Sequence, residues 1–483
     1  MRRPVAVIRF LSSVVLVLAC SLLLADFPSN HAANDDLTQR VDSVFATCNK
    51  PDSPGCAVAV IKDGKIIYEH GYGLANLEYN IPITPDTVFY IASTSKQFTA
   101  ASIALLAQKE KLSIDDSIRK YLPELPPVYD GISIGHLIYH TSGIRDFQTL
   151  LDVQGRTDDV NTEQDIIELL ARQKALNFKP GEHFEYSNSG YFLLAVIVKR
   201  ASGKSLREFA AENIFKPLRM SNTHFHDDRT MIVKNRATGY VPLRGGGYGI
   251  HTTNYDVVGN AGVMTTVQDL SLWDQNFYEN KLGGGIDFIS RLLTPGTLNN
   301  GERLNYAYGL QLGDYKGLRT VKHDGGFAGF VTEMLRFPDQ RFTVICLANV
   351  RGTIDSTALA YQVADIYLAS ELKPQTPKAR ATPSTRQPTN VPTPISLNAT
   401  QLAGYVGDYY SDELQVTYRV VLENGKLSMK YRQVVNGELV PMAQDVFKLY
   451  GVVGVQFIRD DRNQVSGFVP QNGGARNIRF LRR

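Results

Sequence analysis

A serine hydroxyl is a poor nucleophile at neutral pH and needs a base within hydrogen-bond reach to take its proton. Ser93-Thr94-Ser95-Lys96 supplies a hydroxyl and an amine three residues apart, on one face of a helix beginning there. From Phe98 to Ala107 the chain is apolar almost all round. Such surroundings favour the neutral amine, the form able to accept a proton. A second group is Tyr186-Ser187-Asn188, set just after the turn Lys179-Pro180-Gly181. Its phenol suits proton relay to a leaving group, and the Asn188 amide suits a substrate carbonyl. A third is His323-Asp324-Gly325-Gly326, which closes a strand pattern. Gly325 is expected at the substrate there, because glycines let a substrate backbone approach a strand edge closely. The amides of Ser93 and Gly326 are the expected oxyanion hole, where one donor is worth roughly 3 kcal/mol of transition-state stabilisation.

Similar patterns elsewhere lack the setting. Ser117-Ile118-Arg119-Lys120 repeats the serine–lysine spacing beside Asp115 and Asp116 and just before Pro123, which reads as a solvated helix. Tyr278-Glu279-Asn280 repeats the second motif in a charged, glycine-rich neighbourhood. His224-Phe225-His226-Asp227-Asp228 resembles part of a zinc-binding string, with Arg229 where a further ligand would stand. His136 and His140 lie four apart, with Leu137 where a zinc protease needs glutamate, and read as structural near Thr141-Ser142-Gly143. No Gly-x-Ser-x-Gly elbow occurs, Gly245-Gly246-Gly247 reads as a loop, and no cysteine cluster has zinc spacing. Neither metal nor cofactor is expected. A net charge of +3 with interspersed signs provides no basic stripe, which excludes nucleic acid as a partner. The expected partner is a small-molecule or peptide substrate.

The elements that must hold these groups follow from patterning. Ala57 to Ile61, the Asp63-Gly64 turn and Ile66 to Tyr68 read as a hairpin. Helical patterns fill the middle at Ser93 to Gln108, Ile134 to His140, Glu163 to Lys174, Tyr186 to Ala201 and Thr266 to Tyr278. Strand patterns return at Tyr306 to Leu312, Thr320 to His323, Phe330 to Phe337 and Phe342 to Ala348, before a helix from Asp355 to Leu372. Strands, then helices, then strands predict an α+β fold whose first and last strands pair in one antiparallel sheet. Arg2, Arg3 and Arg9 before the apolar run Phe10 to Ala25 make residues 1–36 an export signal, with cleavage after Ala25 or Ala33. The expected location is periplasmic or extracellular, with an uncleaved membrane-anchoring N-terminus as the alternative. Cys20, followed by Leu22-Leu23-Leu24, reads as part of the apolar run. Beyond the signal, Cys48 and Cys56 are spaced to close a small loop, while Cys56 and Cys346 also fit as buried thiols. Residues 37–372 form the expected catalytic domain, 373–396 a Pro/Thr-rich linker, and 397–483 a small all-β barrel or sandwich.

The three motifs in this order resemble the serine β-lactamase and penicillin-binding superfamily, in its class C-like branch of D-aminopeptidases, D-alanyl-D-alanine carboxypeptidases and esterases. The resemblance covers about Leu37 to Leu372 and includes His140-Thr141-Ser142-Gly143, Asn260-Ala261-Gly262-Val263 and Tyr308-Gly309-Leu310. It implies an antiparallel sheet flanked by helices with an all-helical lobe. It also implies Ser93 as nucleophile, Lys96 as base, Tyr186 as relay, and Asn188 and His323 at the substrate. The C-terminal region resembles the lipocalin-like domains appended to some members, supporting the fold, shaping the cleft or binding a partner. His323 stands where true class C β-lactamases carry lysine, which implies weak or no β-lactam hydrolysis. The rival expectation is a non-catalytic sensor of cell-wall fragments. Retention of Ser93, Lys96 and Tyr186 favours the enzyme, since a sensor needs neither base nor relay.

Overall fold

The structure is a computed structural model that describes residues 30–373, 394–431, 437–449, 454–471 and 473–483. The expected export signal and linker fall largely outside these residues. Among the described residues, no helix is long and apolar enough to cross a membrane.

Strand Cys56–Lys62 is buried along nearly its whole length, whereas Lys65–Tyr72 alternates partly buried and exposed positions as an edge strand does. Asp63 and Gly64 join them with φ of 49° and 75°, the left-handed turn that matches strand twist. The buried strand also pairs antiparallel with Phe342–Ala348, from Cys56 opposite Ala348 to Lys62 opposite Phe342. The first strands of the catalytic domain therefore share one sheet with its last four. The order is Gln311–Tyr315, Leu318–Phe327, Phe330–Phe337, Phe342–Ala348, Cys56–Lys62, Lys65–Tyr72, all antiparallel.

Helices cover both faces. Val41, Leu359 and Val363, from the helices Asn30–Val44 and Ser356–Tyr367, pack on Val58, Val344 and Cys346. On the other face lie Val267–Asn276 and the helix Lys96–Gln108, buried from Lys96 through Leu106. Asn188–Ser202, Leu206–Ala210 and Gly285–Leu292 pack around that central helix. The fold is the expected α+β architecture with a helical lobe.

Local readings are corrected at several places. The expected strand from Tyr306 begins only at Gln311, and Tyr306 makes a single isolated bridge to it. Gly309, at φ 69°, turns the chain against the start of the central helix, where a Cβ would lie 2.6 Å from the Lys96 carbonyl. Gly285–Leu292 forms a helix that the preceding glycines concealed. Cys48, Cys56 and Cys346 are free, buried and clustered, with the Cys48 and Cys346 thiols both against that of Cys56.

Residues 407–482 close an eight-stranded antiparallel barrel in which Gly407–Ser411 pairs with both Val416–Glu423 and Phe480–Arg482. Tyr405, Tyr409, Phe447, Phe457, Phe468 and Phe480 fill its core with tilted, edge-on and, for Phe468 and Phe480, stacked ring contacts.

One buried ion pair ties helix to sheet. Arg336 Nε meets Asp274 Oδ1 at 2.6 Å, with both side chains at most 2% exposed, and Thr343 donates to the same oxygen at 2.8 Å. Removing one partner strands the other charge in the core. Asp274→Ala is expected to cost about 3–5 kcal/mol, read as a lowered midpoint of denaturant unfolding.

Candidate active site

Ser93 lies in a 3-10 turn, Ala92–Ser95, that leads into the central helix at Lys96. The turn is pinned from two sides. Thr94 Oγ1 meets Thr332 Oγ1 at 3.0 Å, and Ser95 Oγ accepts the Val263 amide at 3.0 Å. Strand Leu318–Phe327 presses against this turn at Gly325, where a Cβ would lie 2.5 Å from the Ile91 carbonyl. Gly325, expected at the substrate, is thus the residue that lets backbone pack on backbone beside Ser93.

The Lys96 amine is fully buried and reaches three oxygens: Asn260 O at 2.6 Å, Asn188 Oδ1 at 3.0 Å and Ser93 Oγ at 3.2 Å. Burial lowers its pKa to about 7, against the opposing pull of the Asp146 and Asp324 carboxylates. A neutral amine has two N–H bonds and one lone pair. The two carbonyl oxygens take the first two directions, and the third is left for the Ser93 hydroxyl proton.

Asn188 opens the helix Asn188–Ser202. Its backbone amide donates to Asp146 Oδ2 at 2.6 Å and its side-chain amide donates to Gln148 Oε1 at 2.8 Å, so its carbonyl oxygen is turned onto Lys96. Tyr186 precedes this helix. Its phenol lies beside Ser93, its ring lies 4.7 Å from the Lys96 amine, and the residue is 36% exposed. Burial of the phenol pushes its pKa up, so it keeps its proton. His140 packs 4.3 Å from that ring and accepts the Ser187 amide at Nδ1, holding the segment from behind.

His323 is 1% exposed and both ring nitrogens are engaged: Nδ1 with Asp324 O at 2.6 Å and Nε2 with the Tyr306 hydroxyl at 3.0 Å. Burial lowers its pKa to about 4, so it is neutral, donating from Nδ1 and accepting at Nε2. The expected ring contact with substrate is replaced by support for Tyr306. Phe327 pairs with Phe330 across the two-residue turn Ala328-Gly329, and Gly326 opposes Val331 one step further. In such a ladder Gly326 falls at a non-hydrogen-bonded position, with its amide turned to the edge. The neighbouring strand Gln311–Tyr315 pairs only as far as Lys322, which leaves that edge open.

The family model for β-lactamase matches residues 41–368, and the geometry just described falls inside that span. The chain belongs to this family. It is 30% identical over 446 residues to penicillin-binding protein 4* of Bacillus subtilis (strain 168), covering 87% of this chain and 93% of that protein. A D-aminopeptidase of Brucella anthropi is 30% identical over 320 residues, 65% of this chain and 59% of the aminopeptidase; the chain thus spans about three-fifths of that relative. Among solved structures, the octameric penicillin-binding protein homologue of Pyrococcus abyssi aligns with a TM-score of 0.61 at 22% identity, covering 93% of this chain and 99% of that one. A class C β-lactamase aligns with a TM-score of 0.58 at 23% identity, covering 69% and 97%. These likenesses make the chain a serine hydrolase of the β-lactamase and penicillin-binding fold.

Sequence reasoning missed Asp146, Gln148, Tyr306 and the Asn260 carbonyl. Asn260-Ala261-Gly262-Val263 stood out as a motif, but nothing local marks its carbonyl as a lysine partner. The repeated patterns lie elsewhere. Ser117 accepts the Arg119 amide at the surface, Asn280 bonds loop carbonyls, and His224 and His226 face one another. Among the described residues no group could hold a metal ion.

Lys96 must lose its proton to act as a base. Hydrolytic kcat/KM is expected to rise as pH increases through about 7, the value to which burial lowers the amine. The check is a pH–rate profile between about pH 5 and 9.

Proposed function

We propose that the protein hydrolyses D-amino-acid peptides, amides or esters through an acyl-enzyme on Ser93. The observation that carries this reading is the buried Lys96 amine, 3.2 Å from the Ser93 hydroxyl with its other two directions occupied. Lys96 takes the Ser93 proton as Oγ attacks the substrate carbonyl. The amides of Ser93 and Gly326 receive the oxyanion. Tyr186, a neutral phenol beside Ser93, donates its proton to the leaving nitrogen or oxygen and is reprotonated from Lys96. Water then attacks the ester, giving up a proton along the reverse path and releasing Ser93.

The substrate class rests on likeness to relatives named D-aminopeptidase and D-amino acid amidase. The third motif supports weak or no β-lactamase activity. His323 is neutral, enclosed and committed to Tyr306, so it supplies no fixed cation for a β-lactam carboxylate. We place the protein outside the cytoplasm, periplasmic or extracellular, on the basic and apolar N-terminal segment.

A fluorophosphonate probe is expected to modify Ser93 in the unaltered protein and to leave Ser93→Ala unlabelled, as mapped by peptide mass spectrometry. Tyr186→Phe is expected to lower kcat on D-alanine p-nitroanilide by about 10²–10⁴-fold. Turnover retained in Ser93→Ala overturns the mechanism.

A further inference from the structure

The chemistry above gives the barrel no task, yet the barrel's contacts gather on two segments beside the site, the turn at Asp146 and the stretch from Asn177 to Glu185 that leads into Tyr186. The Gly474 carbonyl accepts the Asp146 amide at 2.8 Å and the Asn177 side-chain amide at 3.1 Å. Asn177 Oδ1 accepts the Arg476 amide at 2.8 Å, and its Nδ2 reaches Glu185 Oε1 at 2.6 Å. The Arg476 guanidinium pairs with the other oxygen of Glu185. Two short paths therefore run inward. One passes from Gly474 through Asp146 to Asn188 and Lys96, and the other from Arg476 through Glu185 to its neighbour Tyr186.

A second grip holds the same region from the side. Glu413 forms a buried ion pair with Arg145 at 2.5 Å and accepts the Lys174 amide at 2.7 Å. The Leu414 carbonyl accepts Gln154 Nε2 at 2.7 Å, and Tyr418 donates to the Val153 carbonyl at 2.6 Å. Fit is close at the turn itself, where a Cβ on Gly474 would lie 2.6 Å from Thr149 Oγ1. A domain carried along on a linker needs no such set of bonds. These converge on the turn whose Asp146 and Gln148 orient Asn188.

We propose that the barrel is a working part of the acyl-transfer site: Gly474 and Arg476 fix Asp146 and Glu185, and so set where Asn188 and Tyr186 stand against Lys96 and Ser93. Arg476 and Glu185 are positioning residues, since neither touches the reacting atoms. The inference rests on the acyl-transfer reading of Ser93. Displacement of a reacting group by about 1 Å can cost about 10²-fold in rate, so a loosened grip is felt at the chemical step.

The test uses the full chain and three variants: Arg476→Glu, Glu185→Arg and the double exchange. Measured are kcat and KM on D-alanine p-nitroanilide, the rate of fluorophosphonate labelling at Ser93, the pH profile and the thermal midpoint. Each single variant is expected to lose about tenfold in kcat and labelling rate, with KM changed less than about twofold. Water reaching Lys96 raises its pKa, so the acid limb of the profile moves to higher pH. The double exchange restores the ion pair with reversed sign and recovers most of the rate, which an unspecific loss of stability does not. Single variants that keep full rates, or a double exchange no better than either single, overturn the proposal. Absence of a Ser93 adduct in the unaltered protein overturns the reading beneath it, whereas an adduct formed equally fast by all variants overturns the barrel's part alone.

Discussion

A lysine amine held out of water beside a hydroxyl is the constraint around which the catalytic domain is arranged. An isolated ammonium in apolar surroundings is costly, and the group answers by giving up its proton near neutrality. Keeping the amine dry requires the helix that bears it to be enclosed, and between Lys96 and Gln108 that helix carries no second charge. Its burial needs packing from every side, to which the helices Asn188–Ser202, Leu206–Ala210 and Gly285–Leu292 contribute. The helical lobe is the consequence of that enclosure. An enclosed amine must still be hydrogen-bonded, and the acceptors arrive from Asn188 and Asn260, 92 and 164 residues further along the chain.

The sheet contributes chiefly backbone. Gly325 lets the strand Leu318–Phe327 lie against the turn of Ser93, and Gly309 lets the segment after Tyr308 lie against the start of the central helix. Any side chain at either place meets main-chain atoms, so these glycines fix distances on two sides of the serine and lysine. Gly326 answers a different need. Space around it is open, and its amide lies along an edge that the neighbouring strand leaves unpaired.

Charge in the site is carried by carboxylates at its margin. Asp146 and Asp324 both favour the charged form of Lys96, while His140 and His323 are held neutral by burial. Asp146 acts twice over, since it also accepts the Asn188 amide and the Thr149 amide at the start of the next helix. Its own amide is bonded by the barrel. The electrostatics of the base and the docking of the second domain therefore meet in one residue.

The sequence alone determined the α+β class, the strands that bracket the helices, the C-terminal β domain and the groups Ser93, Lys96 and Tyr186. Each of these has a local signature: period-two or all-round apolar patterning for the elements, and reactive side chains at fixed spacing for the groups. Tertiary structure alone decided that His323 serves Tyr306, and that Asp146, Gln148 and the Asn260 carbonyl complete the setting. Those roles depend on contacts between residues distant in the chain, 17 apart for Tyr306 and His323 and 40 apart for Gln148 and Asn188, and leave no mark on neighbouring residues. A carbonyl is present at every position, so only the folded path of the chain can say which one faces the amine.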